Sequence, residues 1–330
     1  MSEDIIHYSD SRAYPTIGVI LLGGISDKTK RIPMHTSAGF AYRGLEKDIW
    51  VDTKVMVNRG KPFGDLNGEE VQYSDTGRSP FVILNHYREK IFTHLNVKEE
   101  AALSFRSTNV GILSGSSDAG AAAMGSCIEG MAGGIEDNEK FENELRSISE
   151  SVGRSLKGGL TVTWADGKSA RTERILDPDA FRDYVIIGCS FDIQRKPSDR
   201  IHENAVTSPD YPKRIESTAN KARELVRLAE NRDIKGIFEL SHIDTREYHR
   251  LNESVGVRII TPEMRNLMDM VDEDRKETWM TYIVTGGSNV FVITEKKNMK
   301  DVAARYRNHC DSQTLLTVAE GAKIISSSYP

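Results

Sequence analysis

Residues 111–126 read GILSGSSDAGAAAMGS, a run too small to fill a hydrophobic core and too bare to carry catalytic acids or bases. What such a run can do is bring backbone close to something. A helix N-terminus presents unpaired N–H groups and the positive end of a dipole, so a glycine- and serine-rich approach to a helix suits phosphate oxygens. Gly115 and Gly120 let the backbone approach, and Ser114, Ser116 and Ser117 offer hydroxyl donors or a magnesium ligand. The common phosphate loops do not fit. A P-loop needs Lys then Ser or Thr after its second glycine, whereas Ala121 and Ala122 follow Gly120, and no GxGxxG follows a strand. Composition alone leaves a second reading open, in which Ala and Gly form a tight helix-packing surface.

Outward from this run, the 330-residue chain carries 38% hydrophobic and 28% charged residues and a formal charge of −5. This composition predicts a globular protein of one large or two moderate domains and argues against generic nucleic-acid binding. The N-terminal MSEDIIHYSDSR lacks the cationic start and apolar run of a signal peptide, and the apolar stretch near TIGVILLGG is too short to span a bilayer. A cytoplasmic location without membrane association is expected. Cys127, Cys189 and Cys310 are odd in number and lack a CxxC, and the eight histidines show no HxxxH or HxH pair, so neither a disulfide framework nor a zinc site is expected.

Ile17, Val19 and Leu21, and later Ile49, Val51, Val55 and Val57, recur at strand spacing. A helix is predicted around FVILNHYREKIFTHL, a strand and loop in ALSFRSTNVGIL, and a helix running through Cys127. Phe141, Leu145, Ile148 and Val152 fall on one helical face, ended by Gly158-Gly159 before the strand LTVTW. The ADGK at 165–168 predicts a hairpin turn. A second unit begins with DYVIIGCSFD, continues into a helix periodic in Ile215, Ala219, Ala222, Val226 and Ala229, and ends with the paired runs of TYIVTGGSNVFVIT. The expected division is 1–184 and 185–330. The pattern gives an α+β fold without regular βαβ repetition.

The small-residue run resembles the phosphate motif of the GHMP kinase superfamily, PxxxGLxSSxxxxxA, centred on Ser116-Ser117, although Leu113 and Ser114 stand where the motif has Gly and Leu. Three further segments are similar, in order, to mevalonate diphosphate decarboxylases. TIGVILLGG matches NIAVIKYWGK, SESVGRSLKGGLTVTW matches SGSACRSLYGGFVEW, and YIVTGGSNVFV matches TFDAGPNACLF. RIPMHTSAG also matches LPINSSLS. The positions that differ are informative. Leu21 replaces a lysine, Thr285 a catalytic aspartate and Glu150 a glycine, a set that resembles the archaeal mevalonate 3-kinase branch of the superfamily.

The resemblance implies a two-domain GHMP fold, with an N-terminal domain like ribosomal protein S5 domain 2 and a ferredoxin-like C-terminal domain. It implies ATP-dependent phosphorylation of the 3-hydroxyl of mevalonate without decarboxylation, in an archaeal isoprenoid pathway, with Mg2+ and a homodimer. ATP phosphates are expected over Leu113, Ser114, Gly115, Ser116 and Ser117, with Ser117 the metal ligand and, with Thr285, a catalytic residue. Mevalonate is expected among Leu21, Glu150, Arg154, Ser155, Arg195 and Thr285. Leu21 offers a wall for the substrate's methyl group, Arg154 and Ser155 its carboxylate site, and Glu150 an acceptor for a free 5-hydroxyl that repels a 5-phosphate. Glu150 and Arg154, four apart, are expected to share a helical face. Phosphoryl transfer depends mainly on positioning and charge neutralisation, so it survives without the aspartate. A decarboxylase or 3-kinase acting on the 5-phosphate or 5-diphosphate, and a silent nucleotide-binding homologue, are the alternatives.

Overall fold

A computed structural model describes residues 4–26, 28–98, 100–194 and 196–329. In chain order, β1 (Ile5–Ala13), β2 (Thr16–Ile20), β3 (Ser37–Gly44), β4 (Trp50–Arg59), β5 (Gly64–Leu66) and β6 (Glu69–Val71) precede α1 (Pro80–His94) and β7 (Ala101–Val110). Next come α2 (Ser116–Met131), α3 (Asn138–Leu145), α4 (Val152–Lys157), β8 (Leu160–Ala165), β9 (Ala170–Leu176) and β10 (Tyr184–Ser190). The C-terminal half holds α5 (Ser198–Ala205), α6 (Tyr211–Glu230), α7 (Ile234–Ser254), α8 (Pro262–Asp274), β11 (Met280–Val284), β12 (Asn289–Glu295), α9 (Met299–Tyr306), β13 (Ser312–Val318) and β14 (Lys323–Ser327).

Local chemistry sets several boundaries. Ser79 caps α1 by accepting from the Phe81 amide, with Pro80 in the first turn where its missing N–H costs nothing. The turn between β8 and β9 is held by Asp166, whose Oδ1 accepts from the amides of Lys168 and Ser169 at 2.9 and 3.0 Å, while Gly167 takes φ +83°.

One sheet has the order β14-β1-β4-β7-β5-β6, and α2 packs on it through Ala119, Ala122, Ala123 and Cys127 against Val51, Val55 and Val57. The packing reading of the small-residue run therefore holds for its alanines. The alanines are a packing face, and the serines before them lie at the open end of the helix.

The other sheet has the order β11-β12-β10-β13-β3-β8-β9, with β2 also paired to β3. Its strands alternate faces. Ile186, Ile283 and Phe291 pack toward α6 and α7, whereas Ile187, Val284 and Val292 pack toward α8 and α9. Both faces are covered, which explains the continuous apolar runs of β10 and β12. Residue 184 opens β10, yet β13 returns to pair with β3 and β14 with β1, so the strands of the two halves interleave. Among the described residues, no helix is long and apolar enough to cross a membrane.

Two helical expectations are corrected. The face Phe141, Leu145, Ile148 and Val152 is not one helix, because α3 stops at Leu145 and α4 starts at Val152. Arg146 holds the intervening loop by donating to the Glu150 carbonyl at 2.5 Å. On α6 the expected Ala222 and Ala229 are buried, but the buried face also takes in Tyr211, Arg214, Thr218, Leu225 and Leu228, and Ile215 is exposed. The helix is turned because Arg214 is drawn inward by the buried Asp244, at 2.7 Å.

Candidate active site

The open end of α2 is shaped by Gly115, its N-cap, at φ +76°. A Cβ there would lie 2.5 Å from the Thr16 nitrogen and 2.8 Å from its carbonyl oxygen, so only glycine lets the loop lie against β2. The Tyr42 hydroxyl fixes the preceding residue by donating to the Ser114 carbonyl at 2.8 Å and accepting from its amide at 3.0 Å. The Ser114 hydroxyl is buried and has no partner among the described residues. No side chain caps α2, so its first amides remain available to an anion.

This end of α2 borders a cavity of about 180 Å³ lined by residues of both halves, including Thr16, Leu21, Ser114, Gly115, Ser117, Asp118, Glu150, Arg154, His202, Tyr248 and Thr285. Arg154, on α4, is buried. One of its terminal nitrogens donates to Ser37 Oγ at 3.0 Å, its Nε has no partner, and among the described residues it forms no ion pair. Burial lowers its pKa, with Asp118 and Glu150 acting in the opposite direction from a distance. A desolvated cation of this kind is costly until an anion reaches it.

Glu150 lies in the loop before α4, so it does not share a helix with Arg154 and the expected i,i+4 pair does not form. Its Oε2 accepts from Arg31 Nε and a terminal nitrogen at 3.0 and 2.8 Å, and its Oε1 faces His202 Nε2 at 3.0 Å. Burial would raise the Glu150 pKa, but the His202 hydrogen bond and the Arg31 charge hold it well below the ordinary carboxylate range. Leu21 packs with Ile201, Tyr248, Val257 and Ile259 as an apolar wall. Its amide donates to Asp244 Oδ2 at 2.7 Å and its carbonyl accepts from Arg214 at 2.7 Å, which fixes the strand end. Thr285 and Gly286 enter from the turn between β11 and β12.

A second cavity, of about 430 Å³, lies on the other side of Ser117 and is mainly apolar, with Leu66, Val71, Phe105 and Met124 among its walls. Ser116 faces this one, and Ser117 borders both.

The structure thus brings Leu21, Ser114, Gly115, Ser117, Glu150, Arg154 and Thr285 to one cavity. Three expected contacts are absent from it, Ser116 lining only the second cavity. Leu113 is buried in the core beneath the second sheet and its carbonyl accepts from Asn289. Ser155 donates its hydroxyl proton to the Tyr14 carbonyl at 2.6 Å and is not part of the cavity wall. Arg195 lies outside the described residues. His35, in RIPMHTSAG, is a buried structural group with Nδ1 2.8 Å from the Thr36 carbonyl.

Sequence reasoning missed Asp118, so the small-residue run is not bare of acids. Its carboxylate accepts from the Thr16 and Ser149 hydroxyls, and burial, reinforced by Glu150, raises its pKa. Arg31, His202 and Tyr248 were also missed, since no short-range signature marks residues that meet only in three dimensions.

Residues 13–175 match the diphosphomevalonate decarboxylase-like N-terminal domain, and residues 196–300 match the mevalonate-3-kinase C-terminal domain. A mevalonate-3-kinase from Picrophilus torridus is 47% identical over 319 residues, covering 97% of this chain and 98% of that protein. The crystal structure of a mevalonate-3-kinase from Thermoplasma acidophilum, with mevalonate 3-phosphate and ADP bound, superposes with a TM-score of 0.89 at 41% identity, covering 97% of this chain and 99% of that one. Mevalonate diphosphate decarboxylase from Staphylococcus aureus shares the fold, with a TM-score of 0.79 at 18% identity over 97% of this chain and 98% of that one. Matching domains in both halves and 47% identity over nearly the whole chain establish that it belongs to the mevalonate-3-kinase family.

Proposed function

We infer that the chain transfers the γ-phosphoryl group of ATP to the 3-hydroxyl of mevalonate and releases the 3-phosphate without decarboxylation. The observation that carries this reading is the buried guanidinium of Arg154, which among the described residues forms no ion pair, in a small cavity that also borders the open end of α2. A planar cation suits the mevalonate carboxylate. With the carboxylate there, the methyl group packs on Leu21, Glu150 accepts from the 5-hydroxyl, and Thr285 orients the 3-hydroxyl toward Ser117.

The nucleotide belongs on the far side of Ser117, with adenine in the mainly apolar second cavity and phosphates over Ser114, Gly115, Ser116 and Ser117. Among the described residues no cluster of three or more His, Cys, Asp or Glu side chains could hold a metal. A magnesium ion arriving with the nucleotide would find a hard oxygen donor in the Ser117 hydroxyl, which borders both cavities. When bound, the ion neutralises phosphate charge. Two losses separate this site from a decarboxylase. Leu21 places no cation beside the substrate, and Thr285 places no carboxylate, so the 3-phosphate persists. We also propose a cytoplasmic homodimer, on the resemblance alone.

Steady-state ADP release with mevalonate, its 5-phosphate and its 5-diphosphate tests the reading. Turnover with mevalonate at much higher kcat/KM than with either phosphorylated form is expected. Preference for a phosphorylated form, or no ADP release with any of them, would overturn it.

A further inference from the structure

Glu150 is not held as an isolated carboxylate. Arg31, fully buried, gives Oε2 two hydrogen bonds, from Nε at 3.0 Å and a terminal nitrogen at 2.8 Å, while its other terminal nitrogen reaches Asp199 Oδ1 at 2.7 Å. Its backbone lies in the left-handed region at φ +54°, a conformation that opposes a long side chain and persists only where the surroundings dictate it. His202, on α5, receives the Gly24 amide at Nδ1, 3.0 Å away. A nitrogen that accepts from a backbone N–H carries no proton, so the imidazole is neutral and its Nε2–H donates to Glu150 Oε1 at 3.0 Å. Arg146 fixes the Glu150 carbonyl from below.

The lone pairs can then be counted. A carboxylate offers about two acceptor positions on each oxygen. Arg31 gives both of its hydrogen bonds to Oε2 and His202 gives one to Oε1, which leaves an acceptor position that no other side chain among the described residues fills, in a residue that lines the cavity. That position suits one hydroxyl donor. It offers nothing to a phosphate, whose oxygens are acceptors and whose charge the carboxylate repels.

We propose that Arg31 and His202 are positioning residues for substrate choice. They hold Glu150 so that the acceptor position they leave open meets a primary hydroxyl of the substrate, and His202 does so as a neutral donor whose tautomer is set by the Gly24 amide. The selectivity for unphosphorylated substrate thereby depends on Gly24 and Arg31, on the loop before α4 and on α5, rather than on Glu150 alone. This inference rests on the reading of Glu150 as the acceptor of the 5-hydroxyl.

The test compares full-length Glu150→Gln, His202→Ala, His202→Gln and Arg31→Lys for kcat and KM with mevalonate and with mevalonate 5-phosphate, alongside thermal melts. His202→Ala is expected to raise the mevalonate KM at least tenfold, leave kcat within about threefold, and narrow the preference over the 5-phosphate at least tenfold. His202→Gln, whose amide can donate to Glu150 while its oxygen accepts from Gly24, is expected to restore KM to within about threefold of wild type. Arg31→Lys keeps the charge but not the paired donors and is expected to fall between wild type and His202→Ala in substrate preference. If Glu150→Gln keeps the wild-type preference, the reading of Glu150 itself fails. If Glu150→Gln loses it but His202→Ala and Arg31→Lys keep it, only the positioning proposal fails. Should His202→Ala not fold, His202→Gln decides the matter. A folded His202→Gln with a mevalonate KM raised tenfold would contradict a role as neutral donor.

Discussion

Arg154→Met separates a binding role from a structural one, because the two predict opposite effects on the free protein. In the free state the guanidinium makes a hydrogen bond to Ser37 at 3.0 Å, leaves Nε without a partner and is buried without an ion pair among the described residues. Its removal forfeits roughly 1 kcal/mol of hydrogen bonding and relieves the burial of an uncompensated charge, a cost of similar size or larger. The variant is therefore expected to unfold within about 1 kcal/mol of wild type. Substrate binding should respond very differently. Two charge-assisted hydrogen bonds to a carboxylate, at about 1.5–3 kcal/mol each, are worth about 3–6 kcal/mol together, or roughly a hundred- to ten-thousandfold in kcat/KM for mevalonate. Denaturant unfolding with and without mevalonate, combined with steady-state kinetics, measures both. Wild type in mevalonate at 100 times Kd should gain about 2.7 kcal/mol, a gain absent in the variant. A free variant destabilised by more than about 3 kcal/mol, the cost expected of breaking a buried pair, with kcat/KM within tenfold of wild type, would refute the reasoning.

Gly115→Ala must adopt a left-handed conformation at a cost of about 1–2 kcal/mol and place a Cβ against the Thr16 backbone. The KM for ATP should rise at least tenfold by initial-rate kinetics, and an unchanged value would contradict a phosphate role for this loop. Leu21→Lys sets an ammonium among Ile201, Tyr248, Val257 and Ile259 and should destabilise the protein by about 1–3 kcal/mol, without producing alkene while Thr285 remains. Melting curves and product analysis check both points. Buried His35 and His249 are lowered by desolvation from 6.5 to about 4, so their neutral forms favour the native state. Their contribution is fully present above pH 6.5 and is lost as pH falls toward 4. Each should remove about 2 kcal/mol between pH 7 and 5, seen as a lower urea midpoint that replacement of His249 by Asn makes shallower.

The parts of this protein legible in its sequence are those written in consecutive residues. Strands β8, β10, β11 and β12 stand out as apolar runs, the ADGK turn carries its own Asx chemistry, and the serine run stands immediately before its helix. Leu21, Glu150 and Thr285 stood out only because each differs from the residue that the resembling decarboxylase motifs carry there. What stayed hidden depends on distant partners. Asp118 looks like an ordinary acidic residue in the first turn of α2 until Thr16 and Ser149 are seen to enclose it. Arg31 and His202 lie 119 and 52 residues from Glu150. The exposure of Ile215 on α6 has the same cause, since apolar periodicity gives no sign that Asp244 would draw Arg214 inside. Ser155 matches a substrate-binding position in its motif, yet its hydroxyl serves the Tyr14 carbonyl, a partner 141 residues away.

The central claim concerns which bond is made and which is left intact. The direct measurement is phosphorus and proton NMR of the mixture after the purified protein has consumed ATP with magnesium and mevalonate. The account predicts one new tertiary phosphate ester at the 3-position, formed in step with ADP, with inorganic phosphate and alkene both absent. An alkene product would mean that Leu21 and Thr285 do not prevent elimination, and a phosphate on the primary 5-oxygen would mean that Glu150 does not hold the hydroxyl proposed for it.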